Sequence, residues 1–268
     1  MLDQRRFVLR HCEACRFSFV ENHRTDYRNL YDQDYYTGKG ADPLVHYIEE
    51  MGHPDRTVRY YEWQGIRTVQ RHFFPEGCRW LDFGCGPGGL VKHASASGMD
   101  VTGFEEGWAA EYGRQHGIRI IDAEALEEHR GWYDFVTAIE VLEHIPEPLG
   151  ALRKIRRSMR PGAVLFLTTG NARPWRRALL KWSYTQCPDV HVAFYEPETM
   201  EKCLLASGFT PGYLHSHPAY NDIIKYKILK NVGIQHRHRI IDALPWKLIT
   251  RMVDGRYKVS AMPYGIAV

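Results

Sequence analysis

Between residues 78 and 169 the chain alternates two hydrophobic patterns. Short apolar runs, "CRWLDF", "DVTGFE", "IRIIDA", "YDFVTAIE" and "AVLFLTT", read as strands buried on both faces. The segments between them, "GLVKHASASG", "WAAEYGRQHG", "ALEEHRG" and "PEPLGALRKIRRSM", read as helices, the last stopping at Pro161-Gly162. Strands alternating with helices imply crossover units, hence a parallel sheet with helices on both sides, an α/β sandwich. Gly98, Gly117 and Gly208 fall where helices should end and where a left-handed backbone suits glycine.

The two ends break this rhythm. Residues 1–40 carry Cys12-x-x-Cys15 and the aromatic run "YDQDYYTGKG", and residues 43–74 read as helices leading to the first strand. Residues 219–252 read as a helical insertion before a last strand in "RYKVSAMPYGIAV". Ligands of open α/β sheets bind beyond the carboxyl ends of the strands, so this insertion is expected to cap a pocket. The division expected is an arm over 1–40 and a main domain over 41–268.

Composition narrows the class. A 268-residue chain with 44% hydrophobic and 25% charged residues is ordinary globular material, and its formal charge of +3 lacks the basic stripe of a dedicated nucleic-acid binder. The run "RKIRRSMR" has a plain explanation: Leu149, Leu152, Ile155 and Met159 form a buried face, leaving Arg153, Lys154, Arg157 and Arg160 to solvent. No run reaches the roughly 20 apolar residues of a membrane helix, and the start lacks a signal-peptide core, so the expected location is the cytoplasm. Six scattered cysteines suggest reduced thiols.

The decisive stretch is "RWLDFGCGPGGL", residues 79–90. Gly84, Gly86 and Gly89 fit a pyrophosphate-cradling G-x-G-x-x-G, while Asp82, Gly84, Gly86 and Gly88 fit the D-x-G-x-G-x-G of a loop for S-adenosylmethionine. A helix N-terminus suits phosphate if the rest of the site is neutral or basic. Here Asp82, Glu105, Asp122, Glu140 and Glu143 stand at or just beyond successive strand ends, which favours a sulfonium and an ammonium over two phosphates. Glu105 follows Gly84 by 21 residues, a spacing for ribose hydroxyls that serves either ligand.

The segments "LDFGCGPGG", "VTGFEEG", "YDFVTAIEVLEHIPEPLGALRKIRRSMRPGAVLFLTTGN" and "HVAFYEPETMEKCLLASGFT", taken in order, resemble the motifs of class I S-adenosylmethionine-dependent methyltransferases over about residues 78–210. The resemblance implies a Rossmann-like, seven-stranded, mostly parallel sheet whose last strand is antiparallel. It implies that Gly84 and Gly86 approach the methionine part of the cofactor and that Gly88 belongs to the same loop. It further implies that Asp82 holds the loop and receives the ammonium, and that Glu105 binds the ribose. Asp122 and the Ala123 backbone would read the adenine, and the Ile139–Glu140 backbone would receive the ammonium. Trp108 either covers the adenine or packs the helix after it, and Tyr36, with Tyr35, either closes a lid or packs.

Methyl transfer from a sulfonium needs alignment, exclusion of water and removal of a proton. His144 and His191 are the candidate bases; Glu143 and His144 equally suit a cap on the next helix. Lacking the Asn/Asp-Pro-Pro-aromatic signature after the fourth strand, the chain reads as an enzyme for a small organic acceptor, at oxygen first. An anionic acceptor is suggested by Arg173, Arg176, Arg177, Lys181, Lys225 and Lys227. The rival readings are an RNA methyltransferase and a catalytically silent S-adenosylmethionine-binding protein. No metal site is expected: Cys12 and Cys15 have zinc-knuckle spacing, but zinc wants four ligands, and with only His11 or His23 to add, zinc is not favoured.

Overall fold

The computed structural model describes residues 6–42, 46–172, 183–213, 217–257 and 263–268. The main sheet is built from β3 (Arg79–Phe83), β4 (Asp100–Phe104), β5 (Ile120–Ile121), β6 (Tyr133–Ile139), β7 (Met159–Thr168), β9 (Phe209–Tyr213) and β10 (Pro263–Ala267). Its order is β5-β4-β3-β6-β7-β10-β9. β3, β4, β5, β6 and β7 pair in parallel, and β10 runs antiparallel to both neighbours. This is the fold the sequence implied. The strand order reverses at β3, so the crevice for a ligand opens where β3, β4 and β6 end.

Helices cover both faces. One core layer joins Trp80, Val101 and Phe135 to Ile66, Val69, Leu90 and Val91; the other joins Leu81, Val136 and Leu165 to Leu152, Ile155 and Leu204. These strand residues alternate between the layers, so both faces are apolar, as a parallel sheet requires. α5 (Gly89–Ser95) and α6 (Gly107–Gln115) follow β3 and β4, α7 (Ala123–Glu128) follows β5, and α8 (Pro148–Ser158) precedes β7. On α8, Leu152 and Ile155 are buried and Arg153 and Arg157 exposed, so the basic run is a solvated face. Gly98, Gly117 and Gly208 have φ of 79°, 75° and 81°.

Two expectations are corrected. The helix stops at Ser158 rather than at Pro161-Gly162, and β7 already begins at Met159. Met159 is 1% exposed and pairs with Tyr133; a register shift between Tyr133 and Phe135, with Gly162 at φ 77°, absorbs the irregularity. The insertion over 219–252 is, in its first half, a core element rather than a cap. α10 (Pro218–Asn231) buries Ala219, Tyr220, Ile223 and Ile224 against α4 (Arg59–Phe73). The helices touch at Gly65, where a Cβ would lie 2.7 Å from Ile223 Cγ1 and 2.8 Å from the Ala219 carbonyl. Beyond it come α11 (Arg239–Asp242) and α12 (Trp246–Tyr257).

The N-terminal segment forms a hairpin of β1 (Leu9–His11) and β2 (Ser18–Val20), which adds β8 (Ala193–Phe194) in a separate sheet of order β1-β2-β8. It docks on α9 (Pro197–Ala206) through Arg16 Nε to Glu196 Oε2 at 2.8 Å and the Thr199 hydroxyl to the Cys15 carbonyl at 2.9 Å. Then come α1 (Tyr27–Leu30), α2 (Gln33–Tyr36) and α3 (Tyr47–Gly52). Among the described residues no third metal-ligating side chain joins Cys12 and Cys15, and no helix is long and apolar enough to cross a membrane.

Candidate active site

The turn after β3 is tied to β4 through its backbone. The Gly84 and Cys85 amides donate to the Phe104 carbonyl at 2.9 and 3.2 Å, and the Gly86 amide donates to Glu105 Oε2 at 2.9 Å. Gly84 and Gly86 have φ of 73° and 55°, and Gly88, at φ 88°, precedes α5. Their glycines answer different demands. A Cβ on Gly84 would meet Val141 Cγ2 at 2.6 Å and one on Gly88 would meet Ile118 Cγ2 at 2.5 Å. At Gly86 a Cβ would meet Tyr36 Cε1 at 3.6 Å, an ordinary van der Waals contact, so here the positive φ rather than crowding calls for glycine.

The acidic residues at the strand ends are not equivalent. Glu105 accepts the Glu106 amide on Oε1 at 2.9 Å and the Gly86 amide on Oε2, leaving each oxygen a second lone pair for a hydroxyl. Burial pushes its carboxyl up and those two amides pull it down. Asp82 is 4% exposed and accepts the Thr137 hydroxyl at 2.7 Å, tying β3 to β6; burial lifts its carboxyl to about 7 against the Thr137 bond. Asp122 is the N-cap of α7, accepting the Ala125 amide at 3.0 Å, with Ala123 the first helical residue. Ile139 pairs with Thr168, and Glu140 turns the chain with φ of 55°. Its side chain accepts Lys227 Nζ at 2.7 Å and the Thr168 hydroxyl at 3.0 Å, so its charge is already matched by Lys227.

A second cluster lies beyond β6. Glu143, wholly buried, accepts the Thr169 hydroxyl on Oε2 at 2.8 Å, while its Oε1 has no hydrogen-bond partner among the described residues. Burial, then the Glu140 charge, pushes the Glu143 carboxyl well up. His144 Nδ1 lies 2.9 Å from the Val190 carbonyl and 3.1 Å from the Tyr31 hydroxyl. A carbonyl only accepts, so Nδ1 carries the proton and Nε2 keeps its lone pair. The His191 ring lies 4.9 Å from the His144 ring, and burial holds both imidazoles below the usual histidine range. Ligand atoms of Glu143, His144 and His191 fall within 4.8 Å of one another. That donor set, one carboxylate and two neutral imidazoles, suits a divalent cation.

Aromatic rings roof this chamber. Tyr31 meets His144 and Tyr35 edge-on, and Tyr35 meets Tyr36 edge-on. Tyr36 stacks on Trp108 at 5.7 Å and Trp108 on Tyr112 at 5.0 Å. Trp108 thus packs α6 and joins Tyr36 to it in one ladder.

Over residues 55–213 the sequence matches the family described as "Methyltransferase domain". The chain belongs to that family. Among curated relatives, the chain is 38% identical over 108 residues to the ubiquinone biosynthesis O-methyltransferase of Pseudomonas aeruginosa (strain UCBPP-PA14), covering 37% of this chain and 47% of the relative. It is 36% identical over 137 residues to the protein of the same name from Marinobacter nauticus, covering 45% and 58%. The chain spans about half the length of the curated relatives it matches. A solved Haemonchus contortus phosphoethanolamine N-methyltransferase 2, in complex with S-adenosyl-L-methionine, shares the fold with a TM-score of 0.50 and 16% identity over 93% of this chain and 61% of that one.

The structure brings together much of what the sequence singled out. Gly84, Gly86 and Glu105 are bonded into one turn, and His144 and His191 sit side by side. Lys225 and Lys227 are not free cations: Lys225 pairs with Asp242 at 2.9 Å and Lys227 bridges Glu140 and Glu62. Arg173, Arg176, Arg177 and Lys181 lie outside the described residues. The sequence reading missed the Glu143, His144 and His191 ligand cluster, although adjacent carboxylate and imidazole donors in "EVLEH" were its signal.

Proposed function

We propose that this methyltransferase moves the methyl group of S-adenosylmethionine to an oxygen of a small organic acceptor. One observation carries the reading: the glycine turn of β3, the Glu105 carboxylate of β4 and the Glu143–His144 pair of β6 stand on three adjacent strands at the end where such sheets bind ligands. Glu105 keeps acceptor capacity on both oxygens beside the Gly86 amide, which fits a sugar hydroxyl pair beside the turn. The name of the curated relatives supports oxygen as the acceptor atom.

In the transfer, the acceptor oxygen forms a bond to the methyl carbon as the sulfur–methyl bond breaks, the sulfonium becomes a neutral thioether and the hydroxyl proton leaves. His144 Nε2, with its lone pair directed by the Nδ1 bond to Val190, is placed to take that proton. Tyr31 steadies the same ring and the aromatic roof keeps water away. The unpartnered Glu143 Oε1 and the two imidazoles also fit a divalent cation, which when bound would act as a Lewis acid on the hydroxyl. With a cation bound, His144 through Nε2 and His191 would both serve as ligands, so the proton-abstracting role of His144 belongs to the metal-free site.

The direct test is release of S-adenosylhomocysteine on mixing protein, S-adenosylmethionine and a panel of phenols and sugar alcohols, with and without magnesium or manganese. Product appearing with acceptor supports the reading. Tight cofactor binding without product would point to the silent binding protein, and stabilisation by a nicotinamide dinucleotide alone would overturn the cofactor; a true ligand at 100 times its Kd adds about 2.7 kcal/mol.

A further inference from the structure

The turn between β1 and β2 holds two cysteines, Cys12 and Cys15, and both keep part of their surface in solvent. The Cys12 amide donates to the Phe17 carbonyl at 2.9 Å and the Arg16 amide donates to the Cys12 carbonyl at 2.7 Å, which winds the chain tightly between the two strands. Arg16, at φ 61°, sends it back into β2. Wound this way, the turn directs the Cys15 amide, the Cys15 thiol and the Ala14 amide at the Cys12 sulfur. One sulfur thus accepts three donors, and one of them is a second thiol.

Those donors hold the Cys12 thiol below the ordinary cysteine range, against burial and the Glu13 charge. The thiols of Cys78, Cys85, Cys187 and Cys203 are all pushed up by burial, which keeps them protonated and unreactive. The outside of the turn is clamped to α9, where the Ala14 carbonyl accepts Lys202 Nζ at 3.1 Å and the Cys15 carbonyl accepts the Thr199 hydroxyl at 2.9 Å. That clamp uses backbone oxygens and leaves both sulfurs free to react. A solvent-accessible thiolate beside a resolving thiol is the arrangement that oxidants select.

We propose that Cys12 and Cys15 are a redox-active dithiol, with Cys12 the sulfur that meets a peroxide and Cys15 the sulfur that resolves it. The Cys12 thiolate attacks one peroxide oxygen. The oxygen–oxygen bond breaks, Cys12 becomes a sulfenic acid, and the other oxygen takes a proton from solvent and leaves as water. Cys15 then attacks the Cys12 sulfur. The sulfur–sulfur bond forms as the sulfur–oxygen bond breaks, and the departing hydroxide takes the Cys15 proton as a second water. The peroxide gains the two electrons that the thiols lose, and a reducing dithiol returns the pair by exchange. None of these steps uses S-adenosylmethionine or an acceptor, so the proposal stands independently of the methyl-transfer reading.

The experiment exposes the reduced full chain to hydrogen peroxide in slight excess at neutral pH, blocks the remaining thiols with N-ethylmaleimide and maps the tryptic peptides by mass. Arg10 and Arg16 place both cysteines in one peptide, residues 11–16. In wild type that peptide should lose two hydrogens and escape alkylation, while Cys78, Cys85, Cys187 and Cys203 are alkylated; dithiothreitol should reverse the change. Cys15→Ser should stop at a sulfenic acid on Cys12, trapped by dimedone, and Cys12→Ser should react about tenfold or more slowly, having lost the thiolate. Alkylation of both thiols in residues 11–16 after peroxide, a disulfide from Cys15 to Cys203, or undiminished reaction of Cys12→Ser overturns the proposal. So does zinc at one ion per chain that shields both thiols from peroxide until it is chelated, which would make the turn a metal site instead. The wild-type peptide map decides the matter even where a variant fails to fold.

Discussion

Lys227 Nζ lies 2.7 Å from Glu140 Oε1 and 3.3 Å from Glu62 Oε1, so one ammonium links the tip of β6 to the buried face of α4. Burial opposes the Glu140 charge, but Lys227 outweighs it and holds the carboxyl down to about 2. Arg59 continues the network to Glu62 at 2.6 Å and to Glu50 at 2.9 Å. The site floor is thus fixed by ion pairs between two packed helices and a strand end.

Removing the ammonium alone leaves two buried carboxylates under-compensated. Lys227→Met is expected to cost about 3–5 kcal/mol in urea unfolding, the range for breaking one side of a buried pair. Lys227→Met with Glu140→Gln should recover a substantial part, because the orphaned charge goes too. A single-variant loss under about 1 kcal/mol would show that the pair is not electrostatically coupled.

Asp82 makes stability pH-dependent. Its folded carboxyl is raised to about 7 from the ordinary aspartate value of 3.8, so between those values the folded state holds a proton that the unfolded state has released. Stability from this group is complete below pH 4 and is lost as pH rises toward 7. Against Asp82→Asn, which keeps an acceptor for the Thr137 hydroxyl, the wild-type midpoint of thermal unfolding should fall relatively between pH 5 and 7.5. Parallel curves for the two proteins across that window would contradict the assignment.

Glu105 has two tasks, which two variants separate. Glu105→Ala removes the acceptor of the Gly86 amide together with the acceptor for ribose hydroxyls, and should weaken S-adenosylhomocysteine binding by about 1.5–3 kcal/mol in calorimetry. Glu105→Gln keeps an oxygen for the turn but loses the charge, so it should fall between. Unchanged affinity in both would remove Glu105 from the cofactor site.

How far these residues were visible in advance depends on how local their signals are. β3, β4, β6 and the turn at Gly84–Gly88 were legible because each signal sits within a few residues: an apolar run, then glycines where φ is positive. The start of β7 was hidden because Pro161-Gly162 reads as a stop, whereas the pairing of Met159 with Tyr133 is set across the sheet. α10 read as a cap because "YKILK" mixes tyrosine and lysine with apolar residues; only packing on Gly65 of α4 shows which side is inside. The partners of Lys227 depend on contacts spanning much of the chain, which spacing alone does not report.

His191 was first read as a base, and its neighbours give that assignment a competitor. Burial keeps it neutral, and its ring stands 4.9 Å from His144 beside a Glu143 oxygen with no partner. If the three hold a divalent cation, treatment with a chelator should abolish turnover and added manganese should restore it. His191→Ala should then lower turnover by about 10²- to 10⁴-fold with S-adenosylhomocysteine affinity intact, and should also abolish manganese binding measured by electron paramagnetic resonance. Binding of manganese to the variant as tightly as to wild type, with turnover still reduced, would return His191 to the role of base. Full turnover in the chelated wild type would leave His144 Nε2, fixed by the Val190 carbonyl on its other nitrogen, as the proton acceptor without a metal.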